Sequence, residues 1–199
     1  MNPFSYAQEC FSRVFCRKKT LLALLLVLLC STVCGIVFIK TPSVYEFHFC
    51  NCDRFMAVIC FSSRNVFLIF LERSLSAALL LLLVCLGGIH PAALVFVFAV
   101  LLFRGYTFGG SICIFFTVYG FTGAIVVFLL YLPVHLALDA LFVFAGVLAF
   151  ARAPAFCFCR ASFWEAGRDF IVFLALVLVV CFAEMLLLAI FFHPIGLLL

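Results

Sequence analysis

Charge is scarce in this chain: 10% of its 199 residues are Asp, Glu, Lys or Arg, against about 25% in an ordinary soluble domain. Twelve basic and eight acidic side chains cannot coat a soluble globule of this length, whereas lipid solvates an apolar exterior directly. Disorder is excluded from the opposite side, because 69% of the residues are hydrophobic. The polar–apolar alternation of a β-barrel is also missing, since the apolar runs are apolar on every side. A net charge of +4 is too small a bias to point to nucleic acid. Catalytic signatures are lacking too. There is no Walker A loop, dinucleotide fingerprint, H-E-x-x-H or G-x-S-x-G. Ser62, Ser63, Ser74 and Ser76 lie near the ends of apolar runs with no defined His partner, and no polar stretch is long enough to bury a core of its own. These absences predict a protein that is not an enzyme and takes no cofactor.

What is abundant is phenylalanine, 29 residues, set among long Leu, Val and Ile runs. The expectation is an all-α polytopic transmembrane helix bundle, one integral membrane domain over residues 1–199. Apolar runs at 21–39, 75–89, 92–119, 124–150 and 170–192 give about five spans. The first is long enough, at about 1.5 Å per residue, to cross a hydrocarbon core of about 30 Å. It continues apolar through Cys34-Gly35-Ile36-Val37, which reads as a retained span and not a cleaved signal. Residues 40–73 read as an extramembrane loop. Breakers at Gly87-Gly88-Ile89-His90-Pro91 and Tyr119-Gly120-Phe121-Thr122-Gly123 separate the middle spans, and Pro133 should kink the fourth by removing a backbone donor. Arg13, Arg17, Lys18 and Lys19 fall on the same side as Arg152, Arg160 and Arg168, which predicts an N-in, C-out topology in the cell membrane. Of the 12 Cys, Cys30, Cys34, Cys85, Cys113 and Cys181 lie inside apolar runs and act as small hydrophobes.

Ionisable groups inside the apolar runs are costly unless paired or wetted, so they mark the candidate site. There are four: Arg104, His135, Asp139 and Glu184. His135 and Asp139 are four residues apart and share a helix face. Arg104 should be neutralised by Asp139 or by Glu184. Such a cluster serves either as an ion-paired network that fixes helix register, or as a proton, ion or polar-substrate path. A metal site is not expected: the His135–Asp139 spacing is common by chance, and no second ligand pair matches it. His48-Phe49-Cys50-Asn51-Cys52 with Cys60, and Cys157-Phe158-Cys159, lack the two-residue spacing of zinc knuckles and are read as structural or incidental. Gly105, Gly109 and Gly110 form a small-residue element that lets helix backbones approach closely, for internal packing or for a partner or homo-oligomer. Pro133 beside His135 serves as a hinge or as a bend that shapes the bundle.

The order of these features resembles the stage II sporulation protein M family. The resemblance rests on Phe103-Arg104-Gly105-Tyr106-Thr107-Phe108-Gly109-Gly110, Tyr119-Gly120-Phe121-Thr122-Gly123, Leu132-Pro133-Val134-His135 and Gly146, with Gly35 after Arg17-Lys18-Lys19 and Glu184 ahead of Pro194. It is strongest over residues 72–152. Asp139 and the excess of Cys and Phe depart from the family pattern. The resemblance implies a non-enzymatic integral membrane protein of the engulfment machinery, a scaffold that anchors peptidoglycan-degrading partners, the stage II sporulation proteins D and P. The alternative, drawn from the polar cluster and broken helices, is a small transporter or permease subunit.

Overall fold

The computed structural model describes residues 14, 17–39, 41, 45–46, 48–50, 52, 66–153 and 160–196. Among these, every regular element is helical: α1 (Lys18–Phe38), α2 (Val66–Gly87), a 3₁₀ turn (Pro91–Ala93), α3 (Leu94–Val126), a π-helical turn (Val127–Tyr131), α4 (Leu132–Arg152) and α5 (Arg160–Gly196). Residues 45–46, 48–50 and 52, between α1 and α2, are also helical. The Cys157-Phe158-Cys159 segment and Cys60 lie outside the described residues.

Four stretches are long and apolar enough to cross a membrane, and one of them, Leu94–Arg152, runs to 59 residues. That length is about three times what a bilayer needs, and the chain breaks it at Gly120, whose φ of 54° and ψ of −128° interrupt α3. A side chain rarely adopts this backbone conformation, which suits glycine. Beyond the break the chain doubles back. Phe116 meets Phe128, Phe108 meets His135, Arg104 meets Asp139 and Phe98 meets Phe150, a series that only an antiparallel hairpin produces. Gly123 is tucked against the Phe115 carbonyl and the Tyr119 side chain, so no Cβ fits there. The result is an all-α bundle of about five spans, and the chain is a membrane protein.

Pro133 has no N–H to return to the preceding turn, and the helix widens into the π-helical turn just before it. The discontinuity is thus built from one missing donor. Helix directions alternate through the chain. Parallel α1 and α3 meet through Leu28 and Ser31 at Gly105, and Gly35 at Gly110. α2 runs parallel to α4 through Arg73 with His135 and Gly88 with Ala149. α5 is antiparallel to both, pairing Asp169 with Arg152 and Glu184 with Arg73.

The core has two parts. One joins α1 through α5 around Leu24, Leu81, Leu101, Phe142 and Phe173; the other lies toward the hairpin turn around Phe115, Val127, Tyr131 and Leu188, and includes Ile39 and Cys52. Outward faces carry exposed Leu22, Leu29, Val33, Leu75, Val95 and Ile190, the composition of surface that contacts lipid. The single Trp, Trp164, stands exposed at the start of the α5 span beside exposed Arg168, a position favoured at a membrane–water boundary.

The candidate functional site

Two joints hold the bundle together, and the sequence-singled residues divide between them. At the α1–α3 joint, Gly105 lies against the Ser31 side chain and the Leu28 carbonyl, Gly109 against the Thr32 carbonyl, and Gly35 against the Tyr106 carbonyl. A Cβ at any of these would run into backbone or buried side chain. The Gly105–Gly109 element is therefore spent on internal packing, where close approach replaces the hydrophobic drive that lipid removes. Ser31 Oγ donates to the Leu28 carbonyl at 2.8 Å and lies 3.4 Å from the Leu101 carbonyl across the interface. Gly110 has a different neighbour: the His48 ring sits 2.5–2.8 Å from where its Cβ would be.

The second joint is polar. Arg104, on α3, donates from Nε to Asp139 Oδ1 at 3.0 Å, with Nη2 at 2.9 Å from the same oxygen, and its guanidinium carbon lies 5.1 Å from the centre of the Phe142 ring. This settles the pairing left open between Asp139 and Glu184. Glu184, on α5, instead faces Arg73 Nη1 at 3.6 Å, and Arg73 donates from that nitrogen to His135 Nε2 at 2.9 Å. His135 and Asp139 do share α4, yet each answers to a different arginine. The His135 ring is held between Tyr131 and Phe108, with centroids at 4.0 and 5.5 Å. Pro133 is exposed on the same helix; its contribution is the π-helical turn that carries Tyr131.

Arg73 is the member that sequence reasoning missed. The sequence reads it as the end of a 40–73 loop, whereas α2 starts at Val66 and carries it within the helix. The signal lay in Phe67-Leu68-Ile69-Phe70-Leu71, an apolar stretch ahead of Glu72-Arg73 that continues the span beyond the two charges. A third pair, Arg152 to Asp169 at 2.5 Å, joins the last residue of α4 to α5 and is nearly buried on both sides. The sequence reads Arg152 as a loop charge flanking the spans and does not single out Asp169.

Arginine can only donate, so the Arg73 contact makes His135 Nε2 an acceptor and puts the ring's proton on Nδ1. A proton added at Nε2 would set two donors head to head. The charges at this joint balance: two guanidinium groups against two carboxylates, with a neutral imidazole between. Among the described residues no three His, Cys, Asp or Glu side chains converge on a common point.

The segment between α1 and α2 closes against the same region. The Cys52 thiol donates to the Ser111 carbonyl at 3.7 Å, and the His48 ring lies 5.7 Å from that of Tyr106. Burial pushes the His48 pKa below the ordinary imidazole value. Cys50, by contrast, is exposed, so the two cysteines of the Cys50-Asn51-Cys52 stretch do not share an environment. No protein-family model matches the chain, and no curated protein or solved structure matches it.

Proposed function

We propose that this protein is a non-catalytic membrane scaffold, multi-pass in the cell membrane with N-in, C-out topology, that anchors peptidoglycan-remodelling proteins during engulfment. The named partners, the stage II sporulation proteins D and P, come from the family resemblance. The observation that carries the reading is the fate of the motif residues. Gly35, Gly105, Gly109, His135, Gly146 and Glu184 all face neighbouring helices and bind the bundle to itself. Charges neutralised in place are a poor conduit and a good frame. Partner contacts then fall to the outer helix faces and the segment between α1 and α2. Mild detergent extraction followed by affinity purification tests this: cell-wall hydrolases should co-purify, and their absence from cells that express them overturns the scaffold. Topology has its own check, because residues 40–65 should be labelled by impermeant thiol reagents in intact cells.

A small transporter is the second reading. It is favoured by the π-helical turn and Pro133 lying beside a polar joint within the spans, since broken helices at membrane depth accompany transport sites. Acid-dependent flux into proteoliposomes would support it over the scaffold.

A further inference from the structure

The α2–α4–α5 joint contains two polar atoms whose hydrogen-bonding capacity no described residue meets. His135 carries its proton on Nδ1, and that N–H has no acceptor. Glu184 Oε1 accepts no hydrogen bond; its contact with Arg73 is an ion pair at 3.6 Å. Both residues are more than nine-tenths buried, at 6% and 4% exposure. Neither can turn to bulk water, and hydrocarbon offers them nothing. Native proteins seldom leave such atoms unmet, and where they are not paired directly an internal water bridges them.

The chemistry of the joint narrows what could sit there. A cation would meet the Arg73 guanidinium, and an anion would meet the Glu184 carboxylate. A third metal ligand is absent among the described residues. What the joint lacks is one acceptor for His135 and one donor for Glu184, which a neutral hydroxylic molecule supplies at once. Both unmet side chains contact the same Arg73 nitrogen, which keeps them close. We propose that the joint of α2, α4 and α5 binds a small cluster of internal water, which accepts from His135 Nδ1 and donates to Glu184 Oε1. The cluster lies beside Tyr131, whose ring centroid is 4.0 Å from that of His135. It makes the Arg73–Glu184 pairing solvent-adapted inside the bilayer, unlike the direct Arg104–Asp139 pair.

Radiolytic hydroxyl-radical footprinting of the full-length protein in nanodiscs tests this without any substitution. Radicals formed from bound water label the side chains touching it, however deep they lie. Normalised for intrinsic reactivity, His135 and Tyr131 should be labelled at least about tenfold faster than Phe173, which is 2% exposed in the apolar core. Labelling of both at or below the Phe173 rate overturns the proposal. In the His135→Phe variant, Tyr131 labelling should fall severalfold, and an unchanged rate would remove His135 as a water ligand. If that variant does not fold, the comparison within the unaltered protein stands alone.

Discussion

The two joints of this bundle solve the same problem with opposite chemistry. Between α1 and α3, small residues bring two backbones together, and among the described residues the polar help across the joint is a serine hydroxyl shared between carbonyls. Between α2, α3, α4 and α5, long charged side chains reach across and neutralise one another. The first joint has almost no tolerance for added volume but carries no electrostatic risk. The second is fragile to the loss of either charge, because the partner left behind is buried. A protein with so few charges places two of its guanidinium groups here, which marks the second joint as a place where geometry is being specified.

The comparison can be broken at each side in turn. Arg104→Leu strands Asp139 in the core and should cost about 3–5 kcal/mol, read as unfolding free energy by steric trapping in bicelles; a cost below about 1 kcal/mol would reduce the pair to decoration. Gly109→Val drives a Cβ into the Thr32 carbonyl and should cost about 3 kcal/mol. Its signature is loss of disulfide crosslinking between cysteines introduced across α1 and α3, while crosslinks across α4 and α5 persist. Arg73→Met removes a donor that already has water nearby in our account, so its cost should be smaller, about 2 kcal/mol.

The smallest effect concerns pH. Burial lowers the His48 pKa, so the unfolded chain binds more protons below the free imidazole value of about 6.5. Stability should therefore decline gently as pH falls through that value, and His48→Gln should flatten the slope. An unchanged slope in the variant would exclude His48 as its source.

Much of this architecture was legible in the sequence for a simple reason: lipid-facing helices must be apolar throughout, and turns must be written in glycine and proline. The Gly120 break and the hairpin it makes follow from that rule, as does the placement of Arg104, Asp139 and Glu184 as the costly residues. The pairing was not legible, because an arginine can reach carboxylates on several helices and spacing along one chain says nothing about which helix is adjacent. His135 and Asp139 illustrate it. Their four-residue spacing correctly puts them on one helix, yet the bundle assigns them to different arginines. Arg73 was hidden by its neighbour Glu72, since two adjacent charges read as the end of a span. In the fold Glu72 is exposed and Arg73 turns inward, a distinction set by helix rotation and not by composition. The Arg152–Asp169 pair was concealed in the same way, by positions at span ends where charges usually face water.

The central claim is that the intramembrane charges act as a joint by pairing with one another. The most direct test is a double-mutant cycle on Arg104 and Asp139, using Leu at each position and unfolding free energy in bicelles as the readout. The account predicts that each single substitution is strongly destabilising and that Arg104→Leu with Asp139→Leu costs clearly less than the two singles summed, a coupling of about 2–3 kcal/mol. Additive losses, with the double variant as unstable as the sum of the singles, would contradict it.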